Sequence, residues 1–194
     1  MDWLKRKRRE KAGLPPGSLV HKEGFTGKSK VTLIDYSPDG ILEKTNPSME
    51  DITSIAEGDS VTWINVDGIE DVEFLKSIGG KFNLHPLLLE DINSPEQRPK
   101  VEGYEDYLFI IVRMLSHDPE SGGIKWEQVS LILSERYVIS FQEIPGDVWD
   151  TVRERIKKGK GRIRGLGTDY LTYALIDAII DNYFIVLEKL GDDI

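Results

Sequence analysis

Along this chain, short runs of β-branched and aromatic residues alternate with segments whose apolar positions recur every three or four residues. Residues 31–36 (VTLIDY) and 60–66 (SVTWINV) have the composition of strands, and Ser37-Pro38-Asp39-Gly40 is a turn that ends the first. Between them Asn46-Pro47-Ser48 opens a helix. Ser48 is its cap, Asp51 the acidic partner three residues on, and Ile52 and Ile55 point inward. A second helix is predicted over 69–78, with Val72, Leu75 and Ile78 on one face and Gly79-Gly80 closing it. A third, short helix starts at His85-Pro86, with Asn83 as cap and Leu87, Leu88 and Leu89 as one apolar turn. Ser94-Pro95 stops it, because the residue before a proline is driven out of the α region.

Strand character returns at 100–102, and residues 107–115 are so nearly all apolar that a central strand covered on both faces is expected. Residues 126–133 and 137–142 follow, joined by a link too short for anything but antiparallel pairing. Pro145-Gly146-Asp147 then opens a helix with Asp147 as cap and Val148, Val152 and Ile156 as its buried stripe. The last helix begins at Thr168. Leu171, Leu175, Ala178, Asn182 and Ile185 trace one stripe, and Ile176, Ile179, Ile180, Tyr183, Val186 and Leu187 widen it. A helix apolar on several faces needs partners on several faces, either the core or other subunits. Gly191 is a candidate C-cap, though a helix that continues explains the apolar surface better.

Together these elements predict an α/β fold: a mixed parallel and antiparallel sheet, flanked by helices on both faces as an α/β/α sandwich, leading into a long helix. The organisation expected is a basic tail over 1–12, an α/β domain over 13–166 and the start of a stalk helix over 167–194.

Composition narrows the chemistry. A chain of 194 residues with 30% charged and 39% hydrophobic residues is long enough for a real core, and its net charge of −9 argues against nucleic acid as a partner. There is no cysteine, and His21, His85 and His117 are isolated, so any bound metal would be held by oxygen. Two basic segments stand out against the acidic background, one in the first eleven residues and one of seven basic residues between Arg153 and Arg164. A frayed tail and a solvated loop or one facing an acidic neighbour account for them; lipid headgroups are an alternative for the tail. No signal peptide is recognisable, and no apolar run approaches the ~20 residues of a membrane span.

The candidate chemistry lies in carboxylates. Glu90 and Asp91 end the short third helix, where the helix dipole disfavours negative charge. They are either solvated surface acids or ligands for a hard cation, with a nearby positive charge offsetting the dipole. Asp177 and Asp181 interrupt the last helix one turn apart, either on its wet side, paired with the basic loop, or with Asp177 joining Glu90 and Asp91 around a divalent ion. Carboxylates and water suit Mg²⁺ and tolerate Co²⁺. No phosphate-binding glycine loop, histidine dyad or HExxH motif supports an enzyme.

The segments HPLLLEDI at 85–92 and QRPKVE at 97–102, followed by EQVSLIL at 127–133, FQE at 141–143 and YALIDA at 173–178, closely resemble the N-terminal cytoplasmic domain of the CorA family of magnesium and cobalt transporters. The resemblance runs through nearly the whole chain in order. It implies that Glu90, Asp91 and Asp177 belong to inter-subunit cation sites which hold a pentameric channel closed when internal Mg²⁺ is plentiful. It also implies that the transmembrane helices and Gly-Met-Asn signature follow this region, so that the chain is the part at the cytoplasmic face of the membrane. A stand-alone cation-binding or interaction domain, and a Zn²⁺-transporting relative, are the alternatives.

Overall fold

The computed structural model describes residues 13–20, 27–117, 123–159 and 161–192. The basic tail and most of the turn expected at 121–123 lie outside them.

In chain order the elements are β1 (Lys30–Ser37), β2 (Gly40–Thr45), α1 (Met49–Ala56), β3 (Val61–Asp67), α2 (Val72–Lys81), α3 (Pro86–Ile92), β4 (Lys100–Gly103), β5 (Tyr107–His117), β6 (Ile124–Ser134), β7 (Tyr137–Gln142), α4 (Asp150–Lys158) and α5 (Thr168–Asp192), with a 3-10 turn at Ile163–Gly165. The strands form one sheet in the order β2-β1-β3-β7-β6-β5-β4. Only β3 and β7 pair in parallel; the other neighbours are antiparallel, so the sheet is mixed as expected.

Alternation along the strands sends side chains to two separate cores. Leu33, Ile64, Val66, Phe109 and Phe141 meet α1, α2 and α3 on one face. Ile34, Trp63, Ile110, Leu131 and Val138 meet α4 and α5 on the other. The three-layer α/β/α arrangement therefore holds, and it puts α3 and α5 on opposite sides of the sheet.

Several boundaries differ from the sequence expectation. Asn83 does not cap α3. It takes the left-handed conformation (φ 50°) just past α2, where Leu84 N–H donates to the Gly79 carbonyl at 2.8 Å. His85 caps α3 instead, its Nδ1 accepting the Leu87 N–H. Gly79 and Gly80 lie inside α2 rather than after it. A Cβ at Gly79 would sit 2.4 Å from Leu89 Cδ1, so a larger residue there would displace the Leu89 side chain that packs between α2 and α3.

Asp147 likewise is not the cap of α4, which starts from Trp149; its carboxylate accepts from Trp149 N–H and from Arg153. The expected cap pair of α1 is present, with Ser48 and Asp51 satisfying each other's backbone N–H groups. β5 is not central but next to the edge. Its short neighbour β4 covers part of it, and Leu108 stays 41% exposed. β2 is an edge strand that the polar pattern hid.

The long helix α5 buries Leu171, Ala174, Leu175, Ile179 and Val186, whereas Ile185, expected on the inner stripe, is exposed. Asn182 donates to the Leu115 carbonyl at 2.6 Å, and the Tyr183 hydroxyl donates to the Arg113 carbonyl, which locks α5 along β5. The helix runs through Gly191, which is therefore no cap. By length and composition Thr168–Gly191 could cross a membrane, but its inner stripe packs on the sheet as a core helix does.

Four of the seven basic residues in the second segment have partners on the domain. Arg153 pairs with Asp147, Lys157 with Glu43 and Lys158 with Glu154, while Arg164 donates to the Ile156 and Lys157 carbonyls at the end of α4.

Candidate cation site

Pro86 in the first turn and the buried Leu88, Leu89 and Ile92 fix the rotation of α3, which turns Glu90 and Asp91 toward an open groove between α3 and β4. On β4, Lys100 and Glu102 are two residues apart and so share the face that meets Asp91. Lys100 Nζ lies 2.7 Å from Asp91 Oδ2 and 2.7 Å from Glu102 Oε1. The ammonium sits 5.5 Å over the Phe109 ring. Burial works against its charge, but the hydrogen bonds and charges of Asp91 and Glu102 outweigh this and hold its pKa above the ordinary lysine value. Lys100 supplies the positive charge that an acid at a helix C-terminus calls for.

Glu90 faces a different partner. Its Oε2 accepts the Gly17 N–H at 2.7 Å from the segment that crosses α3. Gly17 has φ +82° and a Cβ there would come 2.8 Å from Pro86 Cβ, so the crossing needs glycine. Asn93, wholly buried, accepts from Val20 N–H at 3.2 Å and donates to the Ile69 carbonyl at 3.0 Å, fixing the end of α3. Gln128 of β6 holds the link between the two halves of the groove. Its Nε2 donates to the Asp91 carbonyl and its Oε1 accepts the Gln97 N–H, each at 3.0 Å.

Asp177 is not in this groove. It lies on α5, across the sheet, four residues after Tyr173 and three before Ile180. Tyr173, Ile180, Phe184 and Leu187 are 60%, 47%, 62% and 58% exposed and continue the same three-and-four spacing. Asp177 thus occupies one position of an exposed apolar seam of the kind that packs against another helix. Asp181 is exposed on the flank of that seam, and neither acid has an ion pair among the described residues.

The donor set fits a hard cation in kind, being carboxylate oxygen throughout. Among the described residues no three acidic or histidine side chains converge. The candidate acids are thus divided between the groove and the seam.

Comparison with known proteins decides the family. Residues 58–194 match the family model described as "CorA-like Mg2+ transporter protein". The chain belongs to the CorA family. It is 42% identical over 184 residues to the cobalt/magnesium transport protein CorA of Thermotoga maritima, covering 95% of this chain and 52% of that one. The chain thus spans about half the length of that relative. Solved structures share its fold, among them the following two. The full-length CmaX protein superposes with a TM-score of 0.69 at 15% identity over 88% of this chain and 51% of that one. The soluble domain of CorA from Methanocaldococcus jannaschii gives 0.63 at 18% identity over 84% and 60%.

Within this CorA domain, Lys100, Glu102, Gly17, Asn93 and Gln128 escaped sequence reading as site residues. Lys100 and Glu102 carried a signal, since two charges at i and i+2 of a strand face the same side. Gln128 and Gly17 carried none, because their contacts span 37 and 73 residues.

A second acidic group lies next to Gln128, near the start of β6. Glu127 Oε2 accepts the N–H groups of Glu143 and Ile144, and Glu143 Oε1 accepts the Gln128 N–H. Burial, helped by the charges of Glu143 and Asp67, pushes the Glu127 carboxyl up to about 7 against those two N–H donors. A carboxyl raised on folding leaves stability intact below its unfolded pKa and loses it as pH rises through 7. Glu127→Gln keeps an acceptor for both N–H groups and removes the charge. Thermal unfolding is expected to show the variant more stable than the native chain by about 1–2 kcal/mol near pH 8, after discounting for the water that reaches this half-buried group. The difference should vanish around pH 4, where both states hold the proton.

Proposed function

We propose that this chain is the cytosolic, cation-sensing part of a CorA-type Mg²⁺/Co²⁺ channel, in which Glu90 and Asp91 of one copy meet Asp177 of a neighbouring copy in a pentamer. The observation that carries this reading is that α3, with Glu90 and Asp91, and α5, with Asp177, pack on opposite faces of one sheet. Within a chain, Asp177 cannot reach the α3 groove; between copies, the exposed seam of α5 gives a second subunit apolar area to dock on and brings the acid with it.

The mechanism follows from charge. Each copy carries excess negative charge, so faces bearing Glu90, Asp91 and Asp177 repel when brought together. A divalent cation between them removes that repulsion and favours the assembled, closed arrangement. Loss of the cation releases it, and the shift is bounded by the difference in cation affinity between the two states. The chain's own residues set up the site: α3 and Gln128 hold Asp91, Gly17 holds Glu90, and the packing of α5 presents Asp177. The relatives are named as transporters, which agrees with a non-enzymic role.

The test is cation flux through the complete protein in liposomes, read with a Mg²⁺-sensitive dye. Flux that falls as Mg²⁺ rises on the side of this domain supports the reading. Absence of flux, or flux indifferent to Mg²⁺ on that side, removes it.

A further inference from the structure

We propose that Lys100 is a tethered counter-cation, holding Asp91 and Glu102 together in the cation-free state and leaving them when a divalent ion binds, so that it sets the affinity and charge selectivity of the groove. The proposal rests on the reading of Asp91 as a cation ligand. It adds Glu102 and Lys100 to that site.

The geometry is that of an occupied site. One ammonium nitrogen stands 2.7 Å from an oxygen of each carboxylate, so the two oxygens lie within twice that distance of one another. Opposed oxygens around Mg²⁺ are about 4 Å apart, so small side-chain movements let the same pair accept a metal or its bound water. Without a positive charge between them, two carboxylates this close repel, which makes Lys100 necessary in the cation-free state. Once a divalent ion is present, Lys100 is redundant and is itself repelled. It has somewhere to go: its stem is flexible, its side chain is 27% exposed, and the Phe109 ring lies beneath it.

Selectivity follows from valence. An ammonium tethered beside its acceptors acts at high effective concentration. Na⁺ or K⁺ would replace one positive charge by one positive charge and lose that local advantage. A divalent ion brings twice the charge and wins. Lys100 therefore keeps abundant monovalent ions out of the groove and raises the Mg²⁺ level needed to fill it.

The experiment is Mn²⁺ binding to the complete protein, followed by electron paramagnetic resonance, with Mg²⁺ and K⁺ as competitors. Mn²⁺ shares the oxygen-ligand preference of Mg²⁺. Lys100→Met is expected to bind Mn²⁺ about ten-fold more tightly, the factor given by ~1.4 kcal/mol, and to become sensitive to K⁺. Lys100→Arg, which keeps the charge, should stay close to native. Lys100→Gln gives the same reading as Met should the Met variant fold poorly. Binding that weakens in the Met and Gln variants would make Lys100 a support for Asp91 and overturn the proposal, as would unchanged binding. Asp91→Asn separates the two claims. If it binds Mn²⁺ as the native protein does, the reading of Asp91 as a ligand falls and takes this proposal with it.

Discussion

Arg153→Met is expected to destabilise the domain by about 3–5 kcal/mol, the usual result of removing one partner of a buried ion pair. The Asp147 side chain is only 5% exposed and that of Arg153 17%. The guanidinium donates to both carboxylate oxygens, at 2.7 and 2.5 Å, and lies 5.1 Å over the Trp63 ring. Methionine replaces the stem but leaves Asp147 charged, desolvated and held only by the Trp149 N–H and a long bond from Gln142 Nε2. Urea unfolding measures the loss. Asp147→Asn together with Arg153→Met should recover most of it, since the cost lies in the orphaned charge rather than in the missing pair. A double variant as unstable as Arg153→Met alone would show that packing over Trp63 was the larger effect.

Trp149→Ala is expected to cost about as much, ~3–5 kcal/mol, and to act on the candidate site as well as on stability. Trp149 is wholly buried, meets Trp63 edge to face at 5.7 Å, and donates its indole N–H to the Leu175 carbonyl at 3.0 Å. That bond ties the loop before α4 to α5 two residues before Asp177. Removing the indole opens a cavity beneath α5 and frees its first turns. Amide hydrogen exchange should quicken there more than in α2 or α3, which lie in the other core. Trp149→Phe keeps much of the packing and should lose only about 1–2 kcal/mol. Equal quickening in both cores would mean that the domain loosens as one unit, and the specific link to Asp177 would fail.

What the sequence revealed and what it hid divide along a physical line. Elements whose signal is local were legible: the Ser48 and Asp51 cap pair, the Pro86 start of α3, and the strands at 31–36, 60–66 and 137–142 with their alternating faces. Errors arose where packing or backbone conformation beyond a residue's own turn decides its role. Gly79 reads as a helix stop until Leu89 is seen against it. Asn83 reads as a start until its left-handed backbone is seen ending α2. Asp147 reads as a cap, yet its carboxylate is committed to Arg153. The apolar run of β5 marks burial on two faces, which a strand beside the edge achieves when helices cover it.

The candidate acids, though not their arrangement, were legible too. Glu90 and Asp91 stand out as paired acids at a helix end, and Asp177 as an acid in an apolar helix. Their separation by the sheet follows only from topology, because the sequence does not say on which face each helix packs. The seam around Asp177 explains an excess of apolar positions on α5 that one domain core could not use.

The central claim is that Asp91 and Asp177 serve one cation site formed between copies, and the most direct test is proteolysis of the complete protein across a Mg²⁺ series. Asp91→Asn and Asp177→Asn, each alone, are expected to raise the Mg²⁺ needed for half-protection about ten-fold, and the double variant should add little, because both residues act on one shared ion. Protection unchanged in either single variant would contradict a shared site.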